Sequence, residues 1–318
     1  MAGRSGMSAL QTALTEYLCM RRALGFKLYD TGLCLQHFVG FTEAEGASFI
    51  TTERAVRWAI QPTQASPAHW ARRLGMVRQF AQYCCALEAR TEIPPQGLLP
   101  HRYTRKQPYL YSDEEITRLL LAAKRLPSPG GLRALTYTTL LGLLAVSGLR
   151  ISEPIALDRT DVDLIDGSLT IRGSKFGKSR WLPLHPSTRQ ALQDYAVQRD
   201  RQNPTALTPS FFISERGTRL TQCCVRSTFV KLSRQIGLRG SQDSFGPRLH
   251  DLRHGFAIRT LLNWYRSGVD VEQRLPVLAA YLGHAHVNDT YWYLTGTPEL
   301  LSLASQRLEP FLGRGTLS

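Results

Sequence analysis

The chain has 318 residues, 43% of them hydrophobic and 20% charged, which suits a soluble globular protein with room for two domains. Its 39 lysines and arginines face 25 acids, a formal charge of +14 with a pI near 9.9. Such an excess argues for a polyanionic partner, nucleic acid before an anionic membrane surface, without saying anything about sequence specificity.

The start, Met1-Ala-Gly-Arg-Ser-Gly6, has no apolar stretch of the kind a signal peptide needs. The most apolar run, Ala134 to Leu149, is too short to span a bilayer and reads as a buried core helix. A cytoplasmic protein without a membrane partner is expected. The six cysteines, Cys19, Cys34, Cys84, Cys85, Cys223 and Cys224, show no CxxC spacing, so neither a zinc ribbon nor a disulfide framework is indicated.

Residues 7–90 read as helices. Ser8 caps the first, which carries Leu10, Leu14 and Leu18 at helical spacing. A second begins near Thr31 with Leu33, Leu35, Phe38, Val39 and Phe41. Thr51 opens a third, leading into Val56, Trp58 and Ala59. The fourth is expected from about Pro67 to Arg90, with Leu74, Val77, Phe80 and Ala81 on its apolar face. Arg72, Arg73, Arg78 and Arg90 on this helix face one acid, Glu88. In so basic a chain they are candidate phosphate contacts.

Residues 91–110 hold Pro94, Pro95, Pro100 and Pro108, which cannot continue a helix, interleaved with His101, Arg102, Arg105 and Lys106. This is the expected linker and a second candidate contact with a DNA backbone. The second domain is expected over 111–318. Ser112 and Glu115 form a capping box for its first helix, and the apolar helix follows, ended by Ser147-Gly148. Residues 161–184 are the clearest β region. Asp166-Gly167 turns between two strands, Lys175-Phe-Gly-Lys178 makes a basic second turn, and Arg180 to Leu184 returns as a third strand. Helices are expected at about 186–198, 220–236, 250–266, 271–283 and 297–310. The fold class is therefore mainly α with a small antiparallel sheet.

Several polar side chains lie in a fixed order: Arg150 in Ser147-Gly-Leu-Arg-Ile-Ser-Glu153, Lys175 in the hairpin, His250 and Arg253 in His-Asp-Leu-Arg-His254, His284 after Leu282-Gly, and Tyr293 in Thr290-Tyr-Trp-Tyr. Breaking a phosphodiester without a metal needs an in-line nucleophile, cations for the non-bridging oxygens, and groups that take and give protons. Guanidinium groups suit those oxygens because each binds two at once and keeps its charge. His250 and His254, four apart, are the spacing of a helical zinc pair. The glutamate of that motif is missing, however, and Arg253 would repel a cation. Tyr291 is the rival to Tyr293. Two residues on a helix are roughly 200° apart, so only one of them faces the site.

The order and spacing of these residues resemble the tyrosine recombinase (phage integrase) family over residues 147–293. The resemblance implies a two-domain protein closing on DNA as a C-shaped clamp. The helical residues 1–90 would be a SAM-like core-binding domain, which they match in general character. It implies Arg150, Arg253, His250 and His284 at the scissile phosphate, Tyr293 as nucleophile and Lys175 as general acid, with Lys178 supporting or replacing it. Glu153 and His254 would support the site. It implies double-stranded DNA as partner, four protomers on two sites, other recombinase subunits as further candidates, and no metal or high-energy cofactor. A type IB topoisomerase and a non-catalytic DNA-binding accessory protein are the competing readings. Integrase, transposase and resolvase roles stay open, with a mobile-element recombinase favoured. The interval from Arg253 to Leu282 is longer than the family pattern, and Asn263 to Arg274 is the expected extra loop.

Overall fold

A computed structural model describes residues 7–100, 107–173, 179–204, 208–243, 245–295 and 297–312. By its internal contacts the chain divides into two compact units, 1–106 and 107–318. No described helix is long and apolar enough to cross a membrane.

The first unit contains α1 (Ala9–Ala23), α2 (Tyr29–Ala44), α3 (Thr52–Ile60) and α4 (Pro67–Cys84). Ser8, Thr51 and Ser66 each accept a backbone N–H at a helix start, and Pro67 occupies a first-turn position that has no hydrogen bond to lose. The helical periodicity puts Leu14, Leu35, Phe38, Val77 and Phe80 in one core around Trp58, which is completely buried. The Trp58 indole donates to His37 Nδ1 at 2.9 Å, and Phe38 packs edge-on against it at 5.1 Å.

Three expectations change here. The α4 helix stops at Cys84, whose carbonyl takes the N–H of both Leu87 and Glu88 in a tightened turn. Arg90 therefore leaves the helical face, pairs with Glu88 at 2.8 Å and lies over the Phe49 ring. Arg73 also turns inward. Its guanidinium lies 3.7 Å from the Trp58 ring centroid and donates to the Trp58 carbonyl at 3.0 Å, so it buttresses the core instead of facing solvent. Arg72 is exposed, while half-buried Arg78 donates to Gln96 at 3.3 Å. Residues 91–100, expected as linker, pack on this unit: the Glu92 N–H donates to the Ile50 carbonyl, and Leu99 joins the core. Arg102, Arg105 and Lys106 lie outside the described residues.

The second unit holds α5 (Asp113–Lys124), α6 (Leu132–Ser147) and the short α7 (Ser152–Ala156), then β1 (Val162–Asp163), β2 (Ser168–Ile171) and β3 (Arg180–Pro183). The predicted capping box forms, with Ser112 and Glu115 each accepting the other's backbone N–H. The sheet is antiparallel in the order β1-β2-β3, with Leu169 opposite Leu182 and Ile171 opposite Arg180. Then follow α8 (Pro186–Gln202), α9 (Gln222–Gln235), α10 (Asp251–Arg266), α11 (Val271–Leu282), α12 (Asn288–Tyr291), a 3-10 turn over Trp292–Thr295 and α13 (Pro298–Leu312). The apolar α6 is buried against α5, α8 and α10.

The expected loop from Asn263 to Arg274 is mostly helix. The α10 helix runs on to Arg266 and α11 starts at Val271. Asp270 caps α11 by accepting the N–H of Glu272 and Gln273. The extra length thus lengthens two packed helices, whose Leu261, Leu275, Leu278 and Leu282 share a core with Tyr293 and Leu300.

Candidate active site

The site is assembled in the second unit where the end of α6, the start of α10, the end of α11 and the 3-10 turn meet. Gly148 closes α6 at φ +60, a left-handed conformation that few side chains tolerate, and a Cβ there would stand 2.5 Å from the Phe256 ring. That turn delivers Arg150 and exposes the Gly148 carbonyl to Arg253. Gly283 closes α11 in the same way at φ +70, where a Cβ would come within 2.7 Å of the Arg180 guanidinium. Its carbonyl faces Arg150.

Arg150 is held from two sides. Its backbone N–H donates to Glu153 at 2.8 Å and its side chain to the same carboxylate at 3.1 Å. It also reaches the carbonyls of Leu282 and Gly283, the latter at 3.0 Å. Arg253 is 2% exposed and donates to the Gly148 carbonyl at 2.7 Å and the Leu282 carbonyl at 2.8 Å. The Tyr293 side chain lies near enough to interact with the charge on Arg253. Glu153, 7% exposed, takes a bidentate pair from Arg180 at 3.0 and 2.9 Å. Burial pushes the Glu153 carboxyl up, but hydrogen bonds and charge from Arg180 and Arg150 outweigh it and hold it ionised below its ordinary value.

Arg150 and Arg180 therefore share one carboxylate, while Arg253 spends donors on two carbonyls. Burial, then the Arg150 charge, push the Arg253 guanidinium down to about 10, which still leaves it cationic at neutral pH. The cluster carries more positive than negative charge, which a buried site tolerates best when an anion is to be bound.

Tyr293 is 3% exposed and lies between two imidazoles: the His254 ring at 5.5 Å and the His284 ring stacked at 6.0 Å. His250 packs edge-on against His254 at 4.7 Å, and Trp292 against His254 at 5.1 Å. These ring contacts are what the pair of histidines four apart makes here. Tyr291, the rival, is 47% exposed.

His250 is exposed, yet the protein packed behind it and the charge on Arg253 push it down to about 4. Burial, then Arg253 and Arg150, push His284 to about 4 as well. Both are neutral near pH 7 and able to accept or donate a proton. Unfolded, His284 titrates near 6.5, so between that value and about 4 the unfolded chain carries the extra proton. Its contribution to stability is complete above the unfolded pKa and is lost as pH falls through this window. Denaturation midpoints should drop between pH 7 and 5, and less steeply in His284→Gln; an unchanged slope in the variant would remove His284 as the source.

The structure thus brings together Arg150, Glu153, His250, Arg253, His254, His284 and Tyr293. Lys175 and Lys178 lie outside the described residues. Two partners were not anticipated from sequence. The Thr290 hydroxyl, fully buried, shares a 2.7 Å hydrogen bond with His284 Nδ1. Arg180 holds Glu153 and donates to the Tyr281 carbonyl at 2.8 Å. A signal for each was present: Thr290 opens the Thr-Tyr-Trp-Tyr stretch, and Arg180 begins the strand returning from the basic turn.

The sequence model of the phage integrase family matches residues 110–299, which contain this whole cluster. A Sinorhizobium fredii protein provisionally named integrase/recombinase y4rB is 53% identical, over 95% of this chain and 98% of its own length. Tyrosine recombinase XerD of Caulobacter vibrioides is 33% identical over 78% of this chain and 77% of its own. Among solved structures, the Tn1549 transposon integrase in complex with transposon right end DNA superposes with a TM-score of 0.63 at 16% identity, covering 96% of this chain and 99% of that one. That likeness is one of fold.

Proposed function

The chain belongs to the phage integrase family, and on that premise we propose that it is a site-specific recombinase that cuts and rejoins DNA through Tyr293. One observation carries the reading: the Tyr293 ring is packed between His254 and His284 inside a cluster that also holds Arg150, His250 and Arg253 and has cation to spare. A buried tyrosine serving only as packing has no need of a cluster with surplus positive charge around it.

In this reading the scissile phosphate enters against Arg150 and Arg253, which bind its non-bridging oxygens and neutralise the charge that builds on them. Tyr293 Oη attacks phosphorus and its proton passes to His250, neutral at working pH. The bond from phosphorus to the 5′ oxygen breaks, and Lys175 gives that oxygen its proton. His284 donates to a non-bridging oxygen from Nε2, a tautomer that Thr290 fixes when its hydroxyl donates to Nδ1. Cleavage exchanges one phosphodiester for another, so a 5′ hydroxyl from a second strand can reverse it without an energy source.

Each protomer carries one such site and breaks one strand. Exchange between two duplexes needs four breaks, so the reading includes self-association as four protomers on two sites. Arg72 and Arg78 flank a groove of about 420 Å3 between α4 and residues 95–99, and the reading places phosphate contacts there and on the basic residues Arg102, Arg105 and Lys106. Arg73, committed to Trp58, is left out. Residues 1–106 then serve as the core-binding domain and 107–318 as the catalytic domain. Service in a mobile element is supported by the name of the S. fredii relative.

The test is covalent trapping. Nicked duplexes from the ends of the element that encodes the chain are mixed with the protein in EDTA, denatured, and run for a band carrying DNA. A shifted band is expected. Tight binding of the same duplexes with no band would overturn the reading.

A further inference from the structure

Arg180 has no role in the steps above, yet it is firmly held beside them. It is the first residue of β3, and its side chain is 11% exposed. Three of its nitrogens are committed: one to the Tyr281 carbonyl at 2.8 Å, and two to the two Glu153 oxygens at 3.0 and 2.9 Å. Each acceptor belongs to a different part of the arginine cluster. Glu153 also holds the backbone and guanidinium of Arg150. Tyr281 directly precedes Leu282 and Gly283, whose carbonyls fix Arg150 and, at Leu282, also Arg253. Gly283 is kept free of a side chain on the side where a Cβ would strike the Arg180 guanidinium at 2.7 Å. One planar, permanently charged group thus ties the return strand of the hairpin to both segments that aim the phosphate-binding arginines.

We propose that Arg180 is a positioning residue for phosphate neutralisation: it holds Glu153 and the Tyr281–Gly283 segment so that Arg150 and Arg253 point at one phosphate. It touches no DNA itself. Without it, Glu153 pairs with Arg150 alone and pulls that guanidinium toward itself, and the carbonyls of residues 281–283 lose an anchor. This rests on the recombinase reading. Lysine cannot replace the fork, since a single ammonium cannot hold both carboxylate oxygens and a carbonyl in one plane. It restores the charge and part of the pairing.

The experiment compares two nicked duplexes, one with an ordinary scissile phosphate and one with a neutral methylphosphonate there, which has less charge for the arginines to neutralise. Single-turnover covalent attachment is measured for the wild type, Arg180→Gln and Arg180→Lys, together with DNA binding and the denaturation midpoint. A misaimed clamp costs about 10²-fold in rate on the phosphate. Arg180→Gln should show that loss, with Arg180→Lys between it and wild type, binding within about twofold for both, and a loss of only a few-fold on the methylphosphonate. Equal losses on both duplexes would mean that Arg180 only supports the fold, overturning the proposal. Wild-type rates for Arg180→Gln on the phosphate would overturn it too, while leaving the recombinase reading intact. Failure of the wild type to attach to either duplex would overturn both.

Discussion

Tyr293→Phe should bind DNA as the wild type does and form no covalent complex. The phenyl ring keeps the contacts with His254, His284 and Trp292 that hold the turn together. What disappears is one hydroxyl, at a cost of about 1 kcal/mol of stability. The nucleophile has no substitute, so attachment should fall by at least ~10⁴-fold, below detection. Tyr291→Phe is the matched control, because Tyr291 is 47% exposed and lies off the cluster; it should attach normally. Gel shift and covalent trapping on the same duplex separate the two effects. Persistent attachment in Tyr293→Phe would move the nucleophile elsewhere.

Arg253→Lys is the second large effect, and it separates charge from shape. Arg253 is 2% exposed and serves two carbonyls at once from a planar fork. An ammonium keeps the charge but cannot reach both of them. The Gly148 carbonyl would be left short of a donor, at a cost of about 1–3 kcal/mol. Loss of a preorganised donor at the phosphate should slow cleavage by about 10²–10³-fold. DNA affinity should stay within about threefold, because binding draws on many phosphates. Denaturation and single-turnover trapping read the two costs separately. Cleavage near the wild-type rate would show that charge alone suffices at this position.

What the sequence made legible follows from what leaves a mark in it. Arg150, His250, Arg253, His284 and Tyr293 stood out by residue type and order along the chain, and the fold gathers them into one cluster. The helices of the first unit were legible from spacing and caps, because Ser8, Thr51 and Ser66 act locally. The misreadings share a different cause. Arg73 and Arg90 read as candidate phosphate contacts, but one lies over Trp58 and the other over Phe49, and rings brought in from other segments are invisible to helical periodicity. The end of α4 at Cys84 depends on backbone bonds to Leu87 and Glu88 that no residue type announces. Residues 263–274 carry mixed polar character that suits a loop, yet Asp270 caps a helix there and long-range packing draws Leu275 and Leu278 inward.

The site itself was only half visible, for a related reason. Much of what aims the arginines is backbone: the carbonyls of Gly148, Leu282 and Gly283. Carbonyls carry no sequence signature, and the glycines that free two of them are noticed only once their positive φ and tight surroundings are known. Thr290 and Arg180 are polar residues whose partners, six and 27 positions away, meet them only in the folded chain.

The central claim is that Tyr293 becomes joined to DNA. The most direct measurement digests a trapped complex with protease and nuclease and locates the residual nucleotide by fragment-ion mass spectrometry. A nucleotide joined to Tyr293 through a phosphotyrosyl ester, with Tyr291 unmodified in the same peptide, is the predicted result. A nucleotide on Tyr291 or on any other residue would contradict it.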